Sequence, residues 1–305
     1  VRLVTERLRV LYGFSRGTQA GLSVAQPLIG ALIVTDRPSL LRLFTMALAA
    51  LAGYVAVFAA NDLMDARLDR RRFAHERAYD GFDLDSTGAR HPLARGQLSM
   101  FAAAVWVGGL AVLAAALCAA LEPMCLVLFA TAVALQIGYC LLATVSQYKF
   151  VLSGLMVAAG ALAGAFAMPV QRPVVPLLLL AVWMIAWEVG GRNIVNDMAD
   201  ADEDVHLGIR TVPVVYGLRT ASILACGCSL LAATASVGLA VHRWSFFGPV
   251  GLAGAVLATA GTVLAPAVRL MCDPGPRMAM KMFNRASLQP VCLLVAFAVA
   301  VLLRR

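Results

Sequence analysis

Two short stretches of this 305-residue chain concentrate its reactive side chains. One reads Asn61-Asp62-Leu63-Met64-Asp65-Ala66-Arg67-Leu68-Asp69, the other Asn196-Asp197-Met198-Ala199-Asp200-Ala201-Asp202-Glu203-Asp204. In each, an Asn-Asp pair is followed by carboxylates three and seven residues after the first Asp. Positions i, i+3 and i+7 share one face of a helix, so each stretch predicts a row of three carboxylates. The rows are Asp62, Asp65 and Asp69, then Asp197, Asp200 and Asp204. Like charges at this spacing repel, and near a helix C-terminus they also face the negative end of its dipole. A hard divalent cation relieves both costs, and magnesium typically takes one or two carboxylates plus phosphate oxygens. A solvated acidic loop would explain either stretch alone; two in register favour metal binding.

Cations stand close by. Arg67 and Arg72 accompany the first stretch, Arg210 follows the second, and Arg16 and Lys149 lie beside apolar segments. Carboxylates for metal, with Arg, Lys and the Asn61 amide for anion, predict a site for a metal-bound diphosphate. Asp62, Asp65, Asp197 and Asp200 are its expected catalytic core. Glu188 lies inside an apolar run, about 13 Å along a helix from Asp197. An ionisable residue at that depth is a functional candidate, which places it among the catalytic residues, touching the acceptor or orienting the site. Its other reading is an intrahelical pair with Arg192 at i+4. No P-loop pattern is present, and the four histidines show no metal-ligand spacing. The seven cysteines are odd in number and mostly lie in apolar runs, which reads as packing rather than a disulfide framework. Tyr139, Tyr148, Phe150, Trp183 and Trp187 lie near the same level, where interfacial anchoring is the commoner role and carbocation stabilisation the alternative.

The elements that must hold these residues are set by composition. Hydrophobic residues make up 61% of the chain and charged residues 14%, with a mean hydropathy of +0.82. A soluble core cannot hide that much apolar surface, so the chain reads as an all-α integral membrane protein. Runs of about 20 apolar residues, the length needed to cross the hydrocarbon layer, fall near 17–34, 40–62, 99–121, 123–142, 150–169, 174–195, 220–241, 246–268 and 286–303. No stretch reads as a soluble domain or a linker, so residues 1–305 form one expected unit, and no cleavable signal peptide is expected at its basic start. The two acidic stretches are 135 residues, or four spans, apart. That offset suggests two related helical bundles, each contributing one acidic face. Of the 25 Lys and Arg residues, only Arg37, Arg42, Arg172, Arg243, Arg304 and Arg305 fall on the side opposite the acidic loops. The positive-inside rule therefore puts the N-terminus and both acidic loops in the cytoplasm. The net charge of +8 belongs to these loops, and nucleic acid is not an expected partner. The stretch from Met271 to Phe283 reads as part of a cytoplasmic cap.

At these residues the chain resembles the UbiA superfamily of intramembrane prenyltransferases, which have nine transmembrane helices and two aspartate-rich motifs. Asn61, Asp62, Asp65 and Asp69 match the first motif; Asp197, Asp200 and Asp204 match the second. Arg16 with the later Pro27, His91-Pro92-Leu93-Ala94-Arg95-Gly96, and Gly208-Ile209-Arg210-Thr211-Val212-Pro213 resemble further segments of the family, although His91 stands where Arg is usual. The resemblance implies Mg2+ held by both Asp motifs and an isoprenoid diphosphate bound through it. It also implies transfer of the prenyl group to a hydrophobic or aromatic acceptor within the membrane lipid, with the two bundles around a central cavity that accepts the prenyl tail. A terpene cyclase of the same type, capturing the carbocation internally, is the alternative. A cation transporter fits less well, because the acids gather at one membrane face rather than at the midplane.

Overall fold

The computed structural model describes residues 2–72 and 92–304, with side chains described over 5–64 and 92–304. Every regular element among them is helical. In chain order these are α1 (Arg2–Phe14), α2 (Gly17–Ser23), α3 (Ala25–Leu32), α4 (Leu40–Arg72), α5 (Met100–Leu121), α6 (Pro123–Leu141), α7 (Phe150–Phe166) and α8 (Val174–Ala186). A π-helical segment, Trp187–Asn193, joins α8 to α9 (Ile194–Ala199). Then follow α10 (Ala201–Leu207), α11 (Val212–His242), α12 (Trp244–Thr259), a second π-helical segment (Ala260–Leu264), α13 (Ala265–Cys272), α14 (Pro276–Ala286) and α15 (Gln289–Leu303).

Local chemistry sets many of the boundaries. Pro stands in the first turn of α6, α11, α13, α14 and α15, where its missing N–H costs nothing. The Ser99 hydroxyl caps α5 by accepting from the Ala102 N–H at 3.2 Å. Gly208, at φ +68°, ends α10 in the left-handed conformation that glycine tolerates best.

Seven helical runs among the described residues are long and apolar enough to cross a membrane: Leu40–Met64, Met100–Leu121, Pro123–Leu141, Val174–Ala199, Val212–His242, Trp244–Cys272 and Pro276–Leu303. Phe150–Phe166 is apolar but shorter. The span expected near 17–34 is two short helices, broken at Val24 just before Pro27. Seven runs therefore meet the length expected of nine. Apolar side chains such as Phe101, 80% exposed, cover the outer surface, as a lipid-facing surface requires.

Each helix packs on its neighbours in a closed circuit running α4, α5, α6, α7, α8, α11, α12, α15, α3 and back to α4. The α3 helix also lies directly on α7. Glycine makes that contact possible: a Cβ at Gly30 would sit 2.1 Å from the Ala161 carbonyl oxygen, and one at Gly164 only 1.8 Å from that of Pro27. Small residues let helix backbones touch where lipid offers no hydrophobic drive. A mostly apolar cavity lies among α2 to α7 and the first π-helical segment, with no residue of α11 to α15 in its lining.

Candidate active site

The site forms where the polar ends of α2, α4, α6, α7 and α9 converge over that cavity. The α4 helix continues through the first motif to Arg72, as the i, i+3, i+7 spacing predicts. Asp62 is buried at its inner edge and accepts from Arg16 Nη2 at 3.1 Å. Arg16 begins α2 and is the non-glycine residue with positive φ among the described residues (φ 44°, ψ 52°). Backbone strain of this kind costs of order 1–3 kcal/mol and collects at functional sites; here it aims a guanidinium at a motif carboxylate. Asp65, Arg67, Asp69 and Arg72 lie on the same helix, and their side chains fall outside the described residues.

Asn61, one residue before Asp62, is tied to α6. Its Oδ1 accepts from Gln136 Nε2 at 3.1 Å and from Cys140 Sγ at 3.3 Å.

The second motif departs from a single helical row. The α9 helix ends at Ala199 and α10 starts at Ala201, with Asp200 between them at φ −101°, ψ 8°. The Asp204 N–H bonds back to the Asp200 carbonyl at 2.9 Å, so the chain turns on Asp200. Asp197 and Asp204 are buried, Asp200 half-buried, and Asp202 exposed. The three acids thus come from two short helices and the turn joining them, and α10 packs against α4, which carries the first motif.

Lys149 stands just before the first residue of α7 and is buried. Its Nζ lies 3.9 Å from Asp197 Oδ1 and 5.1 Å from the centre of the Tyr139 ring. Burial works against its charge, but Tyr139, Asp197 and Asp204 outweigh that and hold the ammonium above its ordinary range. Tyr139 also accepts from Asn193 Nδ2 at 3.1 Å. Arg210 is exposed; its backbone N–H bonds the Ala143 carbonyl at 3.1 Å, tying the segment after α10 to the one after α6.

Among the described residues, no three His, Cys, Asp or Glu side chains converge into a ready metal cage. The donor set nevertheless suits magnesium. Asp62 and Asp197 are buried carboxylates that pair with Arg16 and Lys149, and magnesium binds through one or two carboxylates completed by phosphate oxygens and water.

Below this layer, the cavity encloses about 900 Å³ of empty space, part of it open to the surroundings. Its α4 wall runs from Met46 to Phe58, one turn short of Asp62, and its lining is mostly apolar. The charged residues in the lining are Glu188 and Arg192, both buried.

Residues 24–288 match the UbiA prenyltransferase family. The chain belongs to that family. A relative of this UbiA-family chain, the digeranylgeranylglyceryl phosphate synthase of Methanoculleus marisnigri, is 31% identical over 244 residues, covering 77% of each chain. Among solved structures, the apo UbiA homologue of Aeropyrum pernix K1 is similar with a TM-score of 0.73 at 19% identity, covering 92% of this chain and 97% of its own. The Archaeoglobus fulgidus UbiA homologue bound to DMAPP and Mg2+ has a TM-score of 0.63 at 15% identity, covering 95% and 99%. At such identities the structural likeness establishes the fold alone.

Several site features of this UbiA-family chain are silent in the two motifs. Gln26, Gln136 and Ser153 are polar residues within apolar runs, and that depth is the signal that singles them out. Gln26 Oε1 accepts from the Tyr54 hydroxyl at 2.6 Å on the cavity wall. The aromatics in the lining are Tyr54, Phe58 and Phe129. Trp183 and Trp187 lie elsewhere: their indole N–H groups bond Gln289 Oε1 at 3.1 Å and the Ala286 carbonyl at 2.8 Å, fastening α8 and the π segment to α14 and α15.

Proposed function

We propose that this protein transfers a prenyl group from an isoprenoid diphosphate to a lipophilic acceptor, with Mg2+, and releases diphosphate. The observation that carries the reading is the layering of the site. Buried carboxylates paired with Arg16 and Lys149 lie directly over an apolar cavity. A diphosphate needs the first environment and a prenyl tail the second. Solved UbiA homologues bound to DMAPP or GPP with Mg2+ support the same donor class.

In this reading Asp62, Asp65, Asp69, Asp197, Asp200 and Asp204 hold the metal. When bound, magnesium neutralises diphosphate oxygens as a Lewis acid. Arg16 and Lys149 donate to the leaving diphosphate, joined by Arg67, Arg72 and Arg210 and oriented by the anchored Asn61 amide. These preorganised cations stabilise charge where it develops as the allylic C–O bond breaks. The cavity keeps water from the carbocation. The relative's product, by its name, is a digeranylgeranylglyceryl phosphate, which favours a glyceryl phosphate lipid over an aromatic acceptor. Residues 1–305 act as one unit of nine membrane crossings, with α2 and α3 together as the first and Phe150–Phe166 as the fifth. The acidic motifs face the cytoplasm under a cap to which α14 contributes its basic face.

Purified protein in detergent, given geranyl, farnesyl or geranylgeranyl diphosphate with magnesium or EDTA, tests this directly. Magnesium-dependent diphosphate release with transfer to an added alkylglyceryl phosphate is the expected result. A cyclic product from donor alone would identify a terpene cyclase instead, and failure to bind any donor would reject the reading.

A further inference from the structure

An apolar prenyl tail gives no reason to bury a carboxylate and a guanidinium in its cavity, yet Glu188 and Arg192 are both there. They lie on the π-helical segment, a winding found mostly as single turns and often at functional sites. Glu188 Oε1 accepts from the Ser153 hydroxyl at 2.6 Å, which fixes the carboxylate. Its other oxygen lies 3.6 Å from Arg192 Nε. That separation makes an ion pair but not a hydrogen bond, and the Arg192 Nε–H has no hydrogen-bond partner among the described residues. The guanidinium is clamped between the rings of Trp187 and Phe283, 5.3 Å from each centre. Neither group is free to swing out to water.

We infer that Glu188 and Arg192 receive the acceptor's reacting hydroxyl, Glu188 taking its proton and Arg192 holding its oxygen. This rests on the prenyltransferase reading, with its glyceryl lipid alcohol alkylated on oxygen, and adds the two residues that handle that hydroxyl. The pair lines the cavity with a carboxylate oxygen that has no hydrogen bond among the described residues and a guanidinium beside it. A hydroxyl satisfies both, whereas a carboxylate or phosphate would meet repulsion from Glu188. Position agrees. Arg192 is about 7 Å along the segment from Asp197, between the diphosphate layer and the tail cavity, where a nucleophile must stand to reach the first prenyl carbon. In the step, the C–O bond to diphosphate breaks and its electron pair leaves with the diphosphate. The acceptor oxygen bonds that carbon, and its proton passes to Glu188 and afterwards to water. Ser153 and Arg192 act as positioning residues.

The test uses geranylgeranyl diphosphate with an alkylglyceryl phosphate bearing a free hydroxyl, and with the same lipid O-methylated. Mass spectrometry reads ether formation, and magnesium-dependent binding of a thiodiphosphate analogue reads the donor site separately. Wild type should give an ether only from the free hydroxyl. Glu188→Gln should lower kcat by roughly 100-fold or more. Its donor Kd should stay within about twofold. Arg192→Lys should raise the acceptor KM more than it lowers kcat. The charge-neutral double variant Glu188→Gln/Arg192→Gln guards against misfolding from an unpaired charge, and should bind donor but not transfer it. Ether formation by Glu188→Gln at the wild-type rate overturns the proposal, as does loss of donor binding in both the single and double variants. Wild-type diphosphate release with carbon alkylation, or with no ether, overturns it while leaving the prenyltransferase reading intact. Failure of wild type to bind donor would reject that broader reading instead.

Discussion

The two cations over the motif carboxylates do different physical work. Arg16 is partly open to solvent and reaches Asp62 from a strained backbone, whereas Lys149 and Asp197 are both buried. Removing one partner of a buried pair typically costs about 3–5 kcal/mol, because the other charge is left uncompensated. Lys149→Met should therefore lower the thermal midpoint in detergent, and added magnesium should restore part of it by pairing Asp197. Arg16→Ala should leave the midpoint nearly unchanged and raise the donor KM about tenfold or more. Equal stability of the two variants would contradict the assigned burial. Asp202 is exposed, so Asp202→Asn should retain near-wild-type turnover while Asp197→Asn loses almost all of it. The pattern of Asp residues made these positions legible in the sequence. The partner residues were less so: Gln136, Ser153 and Tyr54 carry no motif, and only folding brings them beside Asn61, Glu188 and Gln26.

At the scale of elements, hydropathy locates the helices well but not their breaks. The first motif forms a helix as its spacing predicts. The turn at Asp200 escapes prediction because no glycine or proline marks it, and the π-helical winding of Trp187–Asn193 has no periodic signature over seven residues. Cations outside the site act on helix ends. Arg42 Nη1 donates to the Leu121 carbonyl at 3.2 Å and the Ala167 carbonyl at 2.8 Å, stapling α4 to the C-terminal ends of α5 and α7. Arg172 does the same for the Phe166 and Met168 carbonyls. Hydrogen bonds to charged groups contribute about 1.5–3 kcal/mol each, and a cation there also meets the negative helix end. Arg42→Met should lower the thermal midpoint by several degrees while the surviving enzyme keeps its kcat. Gly164→Val should be worse, since the new side chain collides with the Pro27 backbone and must part α3 from α7. Recovery of a normally stable Gly164→Val protein would show that this contact is looser than described.

For the whole molecule, composition alone implies a membrane setting, and the helix order follows from nine apolar runs. The position of the cavity does not follow. Beside it, Gly30 and Gly164, more than 130 positions apart, let α3 lie against α7. Sidedness is a property of the same scale. Cys272, at the end of α13, is exposed on the face assigned to the cytoplasm. In a Cys292→Ser background, a membrane-impermeant maleimide should label Cys272 in inverted vesicles and not in right-side-out ones. The reverse labelling would invert the topology and move both acidic motifs to the other face.

The central claim is that two acidic motifs on one face bind a prenyl diphosphate through magnesium over an apolar cavity. Its most direct measurement is diphosphate release from geranylgeranyl diphosphate by wild type, Asp62→Asn, Asp197→Asn and the double variant, each with an alkylglyceryl phosphate present. The account predicts magnesium-dependent release by wild type, near-complete loss in each single variant, and no further loss in the double. Undiminished release by the double variant, or release by wild type that EDTA does not suppress, would contradict it.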